Sequence, residues 1–282
     1  MDGPGIIVRT LSQPAVPDKF GNLWQYHSRS DRHSKVACWA ILFDLLQQSS
    51  LLPVHAAAGK VTFGINREMR EYRTNRTKDL DLVISRPGAQ ALGHAPGTMT
   101  DLAIRWGVRL TDEQQERLAN LAPLAEGSAS NVLMALEAKA CMTAHIKALP
   151  RLFDELTSSY TTVHGDSSQA LAVGFAMINA SETFLSSDMN KYDLGQRHPT
   201  VNTHPEHAVV RTVAKVREIN RRTGTGTDGF DAFGEIIISM RNDGSPVTLV
   251  TAPPAPQPAD VDYYDRMIGR IVQLYDTTFS GL

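Results

Sequence analysis

Asp79, Asp81, Glu137 and Lys139 are the residues of this sequence whose types and spacing point to chemistry. Glu137 and Lys139 stand two apart in the apolar run NVLMALEAKA, 131–140, and Asp79 and Asp81 open a second run, DLDLVIS, 79–85. Both runs read as β-strands, and Pro87-Gly88 ends the second. Alternate residues of a strand share a face. The alternation predicts Val132, Met134, Leu136 and Ala138 on one face and Leu133, Ala135, Glu137 and Lys139 on the other, with Asp79 and Asp81 sharing a face of their own strand. Burying a charge is costly unless it is paired. A glutamate beside a lysine at the end of a core strand therefore makes a better site than a packing element. The carboxylates suit a hard, oxygen-binding cation, and nothing around them suggests zinc.

An aspartate opening one core strand, Glu-x-Lys on the next, then a helix and a further strand resembles the PD-(D/E)xK nuclease superfamily, which includes many type II restriction endonucleases. Asp81 (or Asp79), Glu137 and Lys139 carry the likeness, with the helix and the strand QALAVGFAMIN after them, over roughly residues 60–180. No proline precedes either aspartate; Asp81, abutting Leu82-Val83-Ile84, stands where the family's aspartate usually does. The resemblance implies an α/β fold with a restriction-endonuclease-like core, a central mixed β-sheet flanked by helices. It implies Mg²⁺-dependent hydrolysis of phosphodiester bonds in double-stranded DNA, with the metal on Asp81 and Glu137 and Asp79 as a further candidate ligand. Mg²⁺ between two carboxylates would neutralise charge on the attacked phosphate and acidify a water. Lys139 would orient that water or help deprotonate it, and contact the scissile phosphate. The family often adds an acid from an earlier helix, for which Asp44, Glu68 and Glu71 are candidates. Cutting both strands of a symmetric site calls for a homodimer. Two other readings stand beside a restriction enzyme: a nuclease of the same fold serving repair, transposition or phage defence without sequence preference, and a non-catalytic DNA-binding protein.

The elements that must position these residues are legible in outline. The first 30 residues, punctuated by Pro and Gly, predict an irregular arm. SDRHSKVACWAILFDLLQQSS has helical spacing, with Ser30 or Asp31 as its cap. A short strand is expected at 60–65, and one helix, capped by Thr111 or Asp112, within 89–130. After the strand 131–139 come a helix bent near Pro150, a strand at 169–179 and a long polar loop at 187–206. A helix from Glu206, a hairpin at Asn242-Asp243-Gly244 and a terminal helix complete the chain. No linker divides it, so one domain over 1–282 is expected, with its catalytic core at about 60–180 and residues 207–282 completing it or aiding DNA binding or dimerisation.

A formal charge of −2 does not announce a nucleic-acid binder, but only the patch that faces phosphate must be positive. REMREYRTNRTK supplies Arg67, Arg70, Arg73, Arg76 and Lys78 immediately before the aspartate strand, as phosphate contacts would require. Lys147 and Arg151, four apart on the later helix, are expected to reach the same backbone. Asn190, Lys191, Gln196, Arg197, His198 and Asn202 of the polar loop have side chains that read base edges. Cys38 and Cys141 read as small core residues, and His204 and His207 as polar surface. Gly224–Gly229 matches a dinucleotide fingerprint literally, but with a helix before it and a strand after it, so no nucleotide cofactor is expected. The start of the chain lacks a secretory pattern and no apolar run approaches the ~20 residues of a membrane helix. A cytoplasmic protein with no membrane partner is expected.

Overall fold

The first residues of the chain form a helix, not an irregular arm. The computed structural model, which describes all residues except 73, 74, 90–92, 94 and 225, begins with α1 (Gly3–Leu11). Gly3, Ile6, Ile7, Thr10 and Leu11 recur at helical spacing and are buried. The backbone N–H groups of Asp2 and Gly3 donate to the Asp44 carboxylate at 3.0 and 2.9 Å, satisfying donors that a helix start leaves open. A small ladder of β1 (Val16–Pro17) and β2 (Leu23–Trp24) follows, and then α2 (Arg32–Gln48), buried at every position from Ser34 to Leu46.

After α3 (Leu52–Ala57), the strand expected at 60–65 runs further, as β3 (Thr62–Glu71), and turns back into β4 (Arg76–Pro87). Two capped helices, α4 (Met99–Trp106) and α5 (Asp112–Ala119), occupy the region where one was expected. Thr98 and Thr111 each close a capping box. Then come β5 (Ala129–Cys141), α6 (His145–Asp166) with Pro150 inside it, and β6 (Leu171–Asn179). The polar stretch after β6 is only partly loop. β7 (Thr183–Leu185) pairs with β8 (Val201–Thr203), and buried Asn190 bonds the carbonyls of Ser186 and Thr200. α7 (Glu206–Arg217), β9 (Ala232–Ser239), β10 (Thr248–Val250) and α8 (Tyr264–Thr278) end the chain. Asn242 and Gly244, both at positive φ, turn the chain between β9 and β10.

The protein is thus α/β, with a central six-stranded mixed sheet in the order β10-β9-β6-β5-β4-β3. β3, β4 and β5 run antiparallel, each to the next, while β5, β6 and β9 are parallel. Helices α1, α2 and α8 contribute to the core on one face, and α6 and α7 to the core on the other. Every residue of β6 is buried, as expected for a parallel strand covered on both sides. Among the described residues no helix is long and apolar enough to cross a membrane.

Two irregularities of the sheet bear on the residues singled out above. In β5, Val132 and Ala135 lie in the α6 core while Leu133 and Met134 both lie in the α2 core. Strict alternation therefore fails there, at a register shift where Ile84 pairs with Met134 but Ser85 with Val132. A bulge of this kind sends two neighbours the same way. In β4, Leu80 lies in the α6 core and Leu82 in the α2 core. The shared face assumed for Asp79 and Asp81 is lost between them.

Candidate active site

Asp81 sits where two strands part. The β4–β5 ladder ends at the pair Leu82–Leu136, one residue short of Asp81 and Glu137. The N–H of Ala138 donates instead to Asp81 Oδ2, at 2.9 Å, so the carboxylate lies between the strands beside Glu-Ala-Lys. On the other side of β4, Asn66 of β3 takes a left-handed φ of 48° opposite Asp81. Meanwhile β5 keeps its parallel pairing with β6, Glu137 beside Gly174 and Lys139 beside Ala176.

Glu137 is buried, 2% exposed, and its Oε1 lies 2.7 Å from the Lys139 ammonium and 3.7 Å from that of Lys78. Its Oε2 is buried with no hydrogen-bond partner. Burial raises the Glu137 pKa and nearby Asp81 adds to the rise, while Lys139 and Lys78 pull against it. Burial alone would weaken the charge on Lys139, but Glu137 and then Glu155 reverse that, and its pKa is raised. Glu155, on α6, reaches Lys139 at 3.1 Å through Oε2 and accepts from Arg151 at 2.5 Å through Oε1. Lys78 donates to the Glu155 carbonyl and the Ser158 hydroxyl, and burial lowers its pKa.

The other side of Asp81 is held by α2. Asp81 Oδ1 accepts from the Lys35 ammonium at 2.7 Å and from the Ser34 hydroxyl at 3.2 Å, and Lys35 also bonds the Asn66 side chain. His33 stands on the same turn, its pKa driven down to about 4 by burial although Asp81 opposes the fall, so its ring is neutral near neutral pH. Spacing alone does not single out Lys35, Asn66 and Glu155 as site residues, and Lys78, expected to contact phosphate, instead turns to Glu137 and Glu155. Each comes from a different element, and only the meeting of α2, β3, β4 and α6 brings them to Asp81 and Glu137.

Asp81, Glu137 and Lys139 are brought together as expected, and Asp79 is not among them. It is exposed, its backbone pairs with Glu68, and among the described residues its side chain makes no hydrogen bond or ion pair. Nor do the three further acids reach the cluster. Asp44 holds the start of α1 and the Tyr264 hydroxyl, Glu68 is exposed on β3, and Glu71 packs against Gly165 at the end of α6.

The basic residues divide. Arg67 folds over Gly64 and donates to the carbonyl of Gly127 at 2.8 Å, which makes it part of the scaffold. Arg70 is exposed and bonds Asn75 across the β3–β4 turn. On a strand, a spacing of three puts Arg67 and Arg70 on opposite faces. Arg73 lies outside the described residues, and Arg76 is described only as the first backbone position of β4. Lys147 and Arg151 are exposed on α6. In the polar stretch, Asn190 and Asn202 are tied inward and Arg197 lies over the Tyr192 ring, while Lys191, Gln196 and His198 are exposed. His204 is buried and hydrogen-bonded to Ser181 and Thr143, contrary to the surface position expected for it.

Among the described residues no group of three or more His, Cys, Asp or Glu is placed to hold a metal ion. Asp81 and Glu137 alone nevertheless fit Mg²⁺. The unpartnered Glu137 Oε2 is a hard oxygen donor, Asp81 is bonded to the N–H of the very next residue, Ala138, and Mg²⁺ is commonly bound by one or two carboxylates plus water and phosphate oxygens. The chain matches no family model, no curated protein and no solved structure.

Proposed function

We propose that the chain is a Mg²⁺-dependent endodeoxyribonuclease with a PD-(D/E)xK core. One observation carries the reading: the Asp81 carboxylate takes the Ala138 N–H, which fixes it against Glu137 and Lys139 where β4 and β5 diverge. The order α2-β3-β4-β5-α6-β6 around that point supports it, since its β4-β5-α6-β6 part is the strand and helix order the resemblance calls for.

Asp81 and Glu137 would hold the metal, which when bound supplies positive charge to the attacked phosphate and makes water more acidic. Lys139 is held between the Glu137 and Glu155 carboxylates, at 2.7 and 3.1 Å. Its ammonium orients the attacking water and stabilises charge as it grows on the phosphate oxygens. Glu155 positions Lys139 from the α6 side. Lys147 and Arg151, exposed nearer the start of α6, would supply phosphate contacts that hold the duplex. A second set flanks the site, where Asn22 ties the β1–β2 turn to the stretch around Tyr192–Leu194 and Tyr26 packs on His33. That unit exposes Lys19, Arg29 and Lys191.

The finer assignment is a type II restriction endonuclease acting as a homodimer on double-stranded DNA, each copy cutting one strand. Plasmid DNA incubated with the purified protein and Mg²⁺ separates the readings. Discrete fragments support the restriction enzyme, a smear supports a nuclease without sequence preference, and intact DNA that is still bound supports a non-catalytic DNA-binding protein.

A further inference from the structure

Four arginines meet around one cavity with a single carboxylate among them. The cavity, of about 460 Å³, opens beside the start of β9 and is lined by Arg221, Arg222, Arg266 and Arg270. Arg221 and Arg222 follow α7, while Arg266 and Arg270, four apart, share a face of α8. Among the described residues Asp231 is the one carboxylate on the lining. It is already engaged by the Ala172 N–H at 2.8 Å and by His164 and Arg222 at 3.0 and 3.6 Å. Three formal positive charges are left around the cavity, and like charges gathered together repel unless an anion stands between them.

Arg221 carries the argument. Its guanidinium lies 4.1 Å from the centre of the Phe233 ring, and Nη1 donates to the Ile219 carbonyl. Among the described residues it forms no ion pair, and its Nε and Nη2 have no hydrogen-bond partner, yet neither is sealed from solvent. Burial pushes its pKa down to about 10 against the pull of Asp262 and Glu235, which Arg217 holds. A phosphate in the cavity would offset that burial and meet donors whose planar fork matches its oxygens. The volume is that of a small-molecule site, with Phe233 and Met267 as apolar lining. The place is distinct from the proposed duplex contacts. Arg222 reaches the Ser168 carbonyl just past the end of α6, whereas Lys147 and Arg151 lie in its first two turns, about 22 Å from that end. β6 and β5 also separate β9 from β4. None of the described residues of 224–229 lines the cavity, so side chains make it and not the glycine-rich turn.

We propose that this cavity binds a small molecule through a chain of two or three phosphate groups. The site is independent of the nuclease reading. Isothermal titration calorimetry of the full chain with inorganic pyrophosphate, in EDTA so that no metal carries the anion, tests it. Wild type, Arg221→Gln, Arg270→Gln and Arg151→Gln are compared, each checked for wild-type circular dichroism. Saturable binding of one pyrophosphate per chain is expected, weakened at least about 10-fold in Arg221→Gln and Arg270→Gln and unchanged in Arg151→Gln. Arg270 is exposed, so its variant decides if Arg221→Gln does not fold. Affinity for adenosine diphosphate above that for pyrophosphate assigns a nucleotide, and affinity no higher assigns the phosphate chain alone. No saturable binding, binding that Arg270→Gln leaves unchanged, or binding that Arg151→Gln weakens equally overturns the proposal. Displacement of the pyrophosphate by a short DNA duplex overturns it too, because the arginines would then be a nucleic-acid contact.

Discussion

Glu137 is held in a position that works against its own charge. Burial and Asp81 raise its pKa, so the folded chain binds the carboxyl proton more tightly than the unfolded chain does. By linkage, the stability from this group is complete below the ordinary glutamate range and falls as pH rises through the raised value. Glu137→Gln should therefore melt no lower than wild type at neutral pH, read by thermal circular dichroism, while losing cleavage. A lower melting temperature would mean that the ion pair with Lys139 outweighs the burial cost. The arginines separate at this scale too. Arg67→Ala should cost about 1–3 kcal/mol, because the Gly127 carbonyl loses a charged donor, whereas exposed Arg151→Ala should stay within about 0.5 kcal/mol. Urea denaturation midpoints compare the two. Glu137 and Lys139 are legible in the sequence because they interrupt an apolar strand. Lys35 is not, because its spacing is that of any residue in a first helical turn, and only the packing of α2 over β4 gives it Asp81 as a partner.

At the scale of elements, apolar periodicity locates α2, β4, β5, α6 and β6 to within a few residues. It fails where tertiary contacts override the local pattern. α1 looks like an arm because Pro4 and its glycines dominate the composition, yet Asp44 caps it and the core holds Ile6 and Ile7. Alternation misassigns the faces of β5 before the bulge near Leu133 and assigns them correctly after it, so Glu137 and Lys139 do share a side with Ala135. The alternation that pairs Asp79 with Asp81 breaks between Leu80 and Leu82. The strand beside Glu137 offers its own test. A Cβ on Gly174 would come within 2.4 Å of the Phe233 ring, and Phe230 is also close. Gly174→Ala should destabilise by about 1–3 kcal/mol through overpacking, read from the denaturation midpoint. A neutral result would show that the two rings yield.

Across the whole molecule, the sheet separates two hydrophobic cores, and the site around Asp81 and Glu137 and a second buried carboxylate pair lie at different points of it. That second pair is Glu235 and Asp262, both held by Arg217 at 3.1 and 2.9 Å. Burial, reinforced by Asp262, pushes Glu235 up to about 8. The folded form thus holds this proton into the neutral range, and the stability it contributes is lost as pH rises through that value. Between about pH 5 and about pH 9 the wild-type melting temperature should fall more than that of Glu235→Gln. Parallel curves would remove Glu235 as the cause. Neither this pair nor the charge-balanced cluster around Asp81 can be seen in a sequence whose total charge is −2, because each depends on which elements the fold makes neighbours.

The most direct test of the account is plasmid cleavage by purified wild type, Glu137→Gln and Lys139→Met, with Mg²⁺ and with EDTA, on samples of matched melting behaviour. The account predicts Mg²⁺-dependent cutting by the wild type and a loss of at least about 100-fold in each variant. Undiminished cutting by Glu137→Gln, or cutting by the wild type in EDTA, would contradict it.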